Sequence, residues 1–171
     1  VETTSGPLGS GLGQACGMAL AARLDKKKYH VYCLMSDGEQ EAGNTWESVM
    51  LAAKYKLNNL TAIIDRNNIQ IDGMTENIMP LEPLRDKYEA FNWHVIEIDG
   101  HNIQQFVDAV HEAKAIYEKP TVIIAHTVAG KGVDFMEFDY LWHSKSFSQE
   151  EAVKALDELR TLKGRIKSEH Q

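Results

Sequence analysis

The sequence predicts an α/β fold: a doubly wound, mostly parallel sheet with helices on both faces. Three observations carry this expectation. Short apolar strands alternate with helix-length segments whose apolar residues recur at helical spacing. Asp-Gly, Asn-Asn and Pro punctuate the joins between them. Asn67 lies 30 positions after Asp37, which is the length of one strand–helix–strand unit. That spacing puts both residues at the C-terminal edge of two parallel strands, where open α/β sheets bind ligands.

The elements follow in order. Gly6, Gly9, Gly11 and Gly13 precede and enter an Ala-rich helix running to about Leu24. Two readings of these glycines stay open: a close approach to phosphate at a helix N-terminus, and tight helix packing. A dinucleotide fingerprint would need a strand ahead of them, and the sequence shows none there. Strand one is Tyr29 to Met35 and runs into Ser36-Asp37-Gly38. The helix after Gly43 places Trp46, Val49, Met50, Ala53 and Leu57 on one face. Strand two is Leu60 to Ile64 and runs into Asp65-Arg66-Asn67-Asn68. Asp72-Gly73 marks a turn, Pro80 to Pro83 an irregular stretch, and Leu84 to Phe91 a short helix. Strand three is His94 to Ile98, stopped by Asp99-Gly100. The next helix, Ile103 to Tyr117, shows Ile103, Phe106, Val107, Val110, Ala113 and Tyr117 on one side. Strand four is Thr121 to His126. A long loop, 128–147, holds Gly130-Lys131-Gly132 and Trp142-His143-Ser144-Lys145; loops of this length are usually functional or disordered. Ser148 reads as the N-cap of a helix to about Leu162, with Glu150 and Glu151 in its first turn, and 163–171 as a polar tail.

The 171 residues suit a single domain with a proper core. A net charge of −7 disfavours nucleic-acid and anionic-membrane surfaces. No apolar run approaches the roughly 20 residues of a membrane helix. Cys16 and Cys33 sit in apolar contexts and read as buried free thiols of a reducing, cytoplasmic compartment.

At the strand edge the Asp37 carboxylate, the Asn67 side-chain carbonyl and the Ile69 backbone carbonyl are hard oxygen donors. Magnesium takes six such oxygens, commonly one or two carboxylates plus substrate phosphates and water. Three protein oxygens therefore suit a metal–diphosphate clamp, with the Gly38 N–H facing a phosphate. Taken singly, Asp-Gly and Asn-Asn are also ordinary turn residues. The turn reading does not explain their separation by one strand–helix–strand unit.

The run S-D-G-E, then N-T-W-E, then I-D-R-N-N-I-Q-I-D-G resembles the thiamine diphosphate motif. The stretches E-A-F-N-W-H-V-I-E-I-D-G-H-N, K-P-T-V-I-I-A-H-T and W-H-S-K are similar to the transketolase family, above all to the N-terminal subunit of its split members. The resemblance runs from Thr4 to about Lys145. It implies a thiamine diphosphate-binding fold, with Asp37, Asn67 and the Ile69 carbonyl holding magnesium (or calcium). It further implies Gly38 and Asn67 at the diphosphate and Gly6 and Leu8 beside the pyrimidine and thiazolium. His143 would reach the diphosphate and the mouth of the active site. Lys145 would stand near the substrate entrance and Glu47 at a subunit contact near the cofactor. By position alone, His143 is an exposed loop histidine, Lys145 a solvated lysine and Glu47 a solvent-facing helix residue. The implied activity is transfer of a two-carbon ketol unit from ketose to aldose phosphates, as in the pentose phosphate pathway. It would be carried out in an oligomer with a pyrimidine-binding C-terminal partner subunit.

The chain departs from the family's usual pattern at Ser10, Ser36, Ala42 and Ser144. At Ala42 the family usually has the glutamate of an acidic network between paired active sites. A helical segment that supplies sugar-binding histidines precedes Val1 in the family, and its absence here is an expectation of this reading. The alternatives are a non-catalytic cofactor-binding or scaffold domain, or another thiamine diphosphate enzyme such as deoxyxylulose phosphate synthase or phosphoketolase. A nicotinamide-dependent oxidoreductase would rest on Gly9, Gly11 and Gly13 alone.

Overall fold

The computed structural model describes residues 1–4 and 6–161. Helix α1 (Ser10–Leu24) buries Leu12, Ala15, Cys16, Ala19 and Ala22, a helical stripe of mostly small side chains. Strand β1 (Val31–Ser36) ends at a 3-10 turn, Gly38–Glu41, which leads into α2 (Gly43–Lys54). Strand β2 (Leu60–Arg66) is followed by a two-residue hairpin, β3 (Ile69–Gln70) and β4 (Gly73–Met74), turning at Ile71-Asp72. Two short helices, α3 (Thr75–Ile78) and α4 (Leu84–Ala90), precede β5 (His94–Asp99). Helix α5 (Ile103–Ala115), β6 (Thr121–His126), a second 3-10 turn (Tyr140–His143) and α6 (Gln149–Thr161) follow among the described residues. The expected helix end at Leu162 and the polar tail 163–171 lie outside the described residues.

The chain forms two compact units, Val1–Arg66 with Leu81–His126, and Asn67–Pro80 with Thr127–Gln171. In the first unit the four long strands form one sheet in the order β1-β2-β6-β5, every pair parallel. This is the doubly wound α/β arrangement that the strand–helix alternation predicts. One face of the sheet carries Val31, Cys33, Met35, Ala62, Ile64 and Val122 and packs against residues of α1, α2 and α4. The other carries Ile63, Ile96, Ile98 and Ile123 and packs on Ala109 and Ala113 of α5. Fully burying an isoleucine contributes on the order of 1.5–3 kcal/mol, so these strands supply much of the core's stability. In the second unit Val133, Met136 and Ala155 form a small core joined by Phe135 and Trp142.

The buried helix faces differ in part from the apolar pattern. In α2 the buried residues are Thr45, Ser48, Val49 and Ala52, while Met50 is 49% exposed. Polar side chains can occupy that face because each has a partner: Thr45 Oγ1 donates to the Glu39 carbonyl at 2.9 Å and Ser48 Oγ to the Asn44 carbonyl at 2.8 Å. Leu57 is buried, but past the end of the helix. In α5 the stripe is Phe106, Ala109, Val110 and Ala113. Ile103, in the first turn, is 75% exposed, and Tyr117 lies beyond the helix end at Ala115. Asn102 Oδ1 caps α5 by accepting from the amides of Gln104 and Gln105.

Both cysteines are buried and unpaired with each other, as expected. Burial pushes the Cys16 thiol up to about 12 and the Cys33 thiol up to about 11. No strand precedes α1 among the described residues, so the dinucleotide reading of the glycines has no support. Gly9 has φ +79°, and a Cβ there would lie 2.1 Å from Asn44 Oδ1 and 2.8 Å from the Ala42 Cβ. Tight packing is what this glycine serves.

Candidate functional site

Asp37 is the first residue past β1. Its amide donates to the Asp65 carbonyl at 3.2 Å, extending the parallel ladder by one step. The register pairs Ser36 with Asp65, which brings positions 37 and 66 level at the strand ends. Asp37 Oδ1 accepts from the Gly38 amide at 2.7 Å and caps the 3-10 turn. Asp37 Oδ2 accepts from Arg66 Nη1 at 3.0 Å, with the side chains 1% and 2% exposed. On its other side Arg66 donates to Glu82 Oε1 from Nη2 at 3.0 Å and from Nε at 3.3 Å. Glu82 Oε2 in turn accepts from the Leu84 amide at 2.8 Å, at the start of α4.

Buried polar groups brace the turn behind Asp37. Glu39 Oε1 accepts from the Gly9 amide and Glu39 Oε2 from the Ser36 amide, both at 3.0 Å. Gln40 Nε2 donates to the Ser36 carbonyl at 3.0 Å, and Gln40 Oε1 accepts from the Tyr88 hydroxyl at 2.7 Å. Trp46 Nε1 donates to the Gln40 carbonyl at 2.8 Å. Burial, and then the Asp37 charge, hold the Glu41 carboxyl above its usual range. Burial first, with nearby Cys33 and Glu39, raises the Tyr88 hydroxyl further, so it remains a donor.

In the second unit Asn67 Oδ1 accepts from the Ile69 amide at 3.1 Å, and the Asn68 carbonyl accepts from the Thr75 amide at 3.0 Å. The long loop folds on itself. Gly132 donates to the buried Glu137 Oε1 at 2.7 Å, and Asp139 Oδ1 caps the second 3-10 turn through the Leu141 amide at 3.0 Å. Trp142 meets Phe135 edge-on at 5.3 Å and lies tilted against Phe147 at 5.5 Å between ring centroids. Lys145 Nζ lies 4.0 Å over the Trp142 ring and 2.6 Å from Glu151 Oε1. Ser148 and Glu151 form a reciprocal cap on α6: Glu151 N donates to Ser148 Oγ at 3.1 Å and Ser148 N to Glu151 Oε2 at 2.8 Å.

Two groups of the residues singled out in the sequence are directly joined: Asp37 with Gly38, and Asn67 with Ile69. His143 ends the second 3-10 turn and is exposed, and Lys145 follows it two positions on. Lys145 is engaged by Trp142 and Glu151 rather than being a freely solvated lysine. The Gly38 amide is bonded to Asp37, where the sequence suggests that it faces a phosphate. Gly6, Leu8 and Glu47 line up with no such partner: all three are exposed, and a Cβ at Gly6 would meet no atom within 4 Å. Sequence reasoning missed Arg66, Glu82, Glu39, Gln40 and Tyr88. One signal was present for Arg66, an arginine between the strand-end Asp65 and Asn67.

In the first unit the Asp37 carboxylate is buried and oriented, and in the second the Asn67 amide oxygen is fixed by its own turn; each is a hard oxygen of the kind divalent cations take. Among the described residues no three His, Cys, Asp or Glu side chains gather as a metal set.

A parallel sheet with its buried polar network at the C-terminal strand edge defines a ligand-binding domain of the open α/β class. Residues 1–161 match the family described as transketolase, thiamine diphosphate binding domain. The chain belongs to the transketolase family, in its thiamine diphosphate-binding domain. It is 43% identical over 159 residues to a 6-deoxy-6-sulfo-D-fructose transketolase subunit of Clostridium sp. (strain MSTE9), covering 93% of this chain and 58% of that protein. It is 43% identical over 161 residues to an apulose-4-phosphate transketolase subunit of Phocaeicola vulgatus, covering 92% of this chain and 57% of that protein. The chain thus spans somewhat more than half the length of these relatives. A crystal structure of transketolase from Campylobacter jejuni superposes with a TM-score of 0.85 at 33% identity, over 92% of this chain and 26% of that one.

Proposed function

We propose that this chain is the diphosphate- and magnesium-binding half of a transketolase-like enzyme. The enzyme would transfer a two-carbon ketol unit from ketose to aldose phosphates together with a pyrimidine-binding partner subunit. The observation that carries the reading is the buried, oriented Asp37 carboxylate at the strand edge of a thiamine diphosphate-binding domain. Asp37, Asn67 and the Ile69 carbonyl hold the metal, magnesium or calcium. Gly38 and Asn67 meet the diphosphate, and Gly6 and Leu8 the rings. His143 serves the diphosphate and the site's mouth, Lys145 the substrate entrance and Glu47 the subunit contact.

Bound there, thiamine diphosphate supplies the nucleophilic carbon that carries the two-carbon unit. The chain's own residues bind and orient. Asp37 offers a fixed carboxylate, and the Glu39–Gly9 and Gln40–Tyr88 bonds keep the turn beneath it rigid. Lys145, held by Glu151 and Trp142, keeps a cation in the loop for an anionic sugar. Ala42 has no ionisable group, and the neighbouring Glu41 carboxyl is held above its usual range by burial first and then by the Asp37 charge. The two relatives above are named for different anionic sugars, a sulfosugar and a sugar phosphate, so their names single out no one sugar for the ketose and aldose phosphates of this reading.

Calorimetric titration with thiamine diphosphate and magnesium tests the clamp. Asp37→Ala should abolish magnesium-dependent cofactor binding, and unchanged affinity would refute the metal assignment. Assays with and without a pyrimidine-binding subunit test the rest, since the expected result is turnover only in its presence. Robust turnover by the 171-residue chain alone would refute the need for a partner.

A further inference from the structure

We propose that Arg66 is a resident counter-cation of the metal site: its guanidinium neutralises Asp37 before a divalent ion arrives and competes with that ion for it. This inference rests on the magnesium reading above and deepens it.

The pair is 3.0 Å long and buried on both sides. A buried carboxylate without a positive partner is strongly destabilising, and the parallel register delivers one from the adjacent strand. Glu82 grips the same guanidinium through two nitrogens and is itself fixed by the Leu84 amide. Arg66 is therefore held in place by a second carboxylate besides Asp37.

Asp37 is oriented by other contacts as well. Its amide is bonded to the Asp65 carbonyl, and Oδ1 is bonded to the Gly38 amide within the cap of the 3-10 turn. What Arg66 adds is charge. A guanidinium in contact with a metal-binding carboxylate repels an incoming divalent ion. Arginine does not lose its proton in proteins, so this counter-charge is relieved by another cation and not by pH. Glu82, with its side chain 54% exposed, remains as the partner of a guanidinium that moves off Asp37.

The test uses the full protein and magnesium chloride alone. Thermal melts in EDTA and in magnesium are combined with titration calorimetry on wild type, Arg66→Met, Arg66→Lys and Asp37→Asn. Arg66→Met should melt lower in EDTA and regain the loss in magnesium, with apparent magnesium affinity about tenfold tighter, one decade being roughly 1.4 kcal/mol. Arg66→Lys should restore the wild-type magnesium affinity. Arg66→Gln, which keeps donors and drops the charge, reads the same way if Arg66→Met does not fold. An equal drop in melting temperature with and without magnesium would make Arg66 a structural residue and overturn the proposal. Weaker magnesium binding by Arg66→Met would also overturn it, because Arg66 would then orient Asp37 rather than compete for it. Asp37→Asn, alone or combined with Arg66→Met, should show no magnesium shift. If it keeps the wild-type shift, the metal assignment itself is what fails.

Discussion

Asp37 and Gly9 show how single residues set this site. Asp37 is legible as a candidate ligand from its spacing to Asn67. The groups that hold it are not, because Gln40 and Tyr88 meet only through the tertiary fold. The Gly9 requirement is half legible: the glycine is plain in the sequence, but the reason for it lies in Ala42 and Asn44, which the fold brings against it. Gly9→Ala combines a left-handed φ of +79° with that overlap. The conformation alone costs roughly 1–2 kcal/mol, and the clash adds to it, so a chemical denaturation midpoint should fall clearly. A midpoint equal to wild type would show that the Gly9 contact is not tight. Cys16 and Cys33, with thiols pushed up to about 12 and about 11, should resist iodoacetamide at neutral pH until denaturant is added. Labelling followed by mass spectrometry checks this directly.

At the scale of elements, β6 matches its expected bounds, Thr121–His126, because an apolar run between Pro120 and a loop leaves little room for error. The other long strands shift by one or two residues, at one end in β2 and β5 and at both in β1. The apolar pattern places the buried face of α2 about one residue out of phase, because Thr45 and Ser48 are buried with hydrogen bonds that such a pattern does not register. The Gln40–Tyr88 bond ties the 3-10 turn to α4. Tyr88→Phe leaves Gln40 Oε1 without that donor and should cost about 1–3 kcal/mol in unfolding free energy, read by chemical denaturation. Ser148 is legible as a cap from its place before Glu150 and Glu151. Its reciprocal partner Glu151 is held down to about 2, first by the hydrogen bond from Lys145 and then by the Ser148 amide. A carboxyl depressed in the folded state stabilises above its usual 4.5 and loses that contribution as pH falls toward about 2. Amides in the first turn of α6 should therefore lose protection from exchange between those pH values. Protection in that turn unchanged down to pH 2 would rule out the cap's dependence on ionised Glu151.

Over the whole first unit, α5 covers one face of the sheet only beneath β2, β6 and β5, leaving Tyr32 and Leu34 of β1 exposed. Leu34 is 75% exposed, so Leu34→Lys should change the stability of this chain by no more than about 0.5 kcal/mol, read by thermal unfolding. A larger loss would mean that the residue is covered in solution. The strand order has a consequence for folding and for where the chain tolerates insertions. The segments β1–α2–β2 and β5–α5–β6 are each strand–helix–strand modules of roughly 30 residues, whose partners find one another locally. The sheet is completed by the single seam where Thr61 meets Thr121 and Ile64 meets Ile124. Closing that seam spans about 60 residues, yet doubling a loop adds only about 0.6 kcal/mol of closure entropy. The segment Asn67–Pro80, which carries Asn67 and Ile69, is thus inserted between two strand–helix–strand modules of one unit at small thermodynamic cost. Its two short strands pair only with each other, so its sequence is free of the demands of the main sheet.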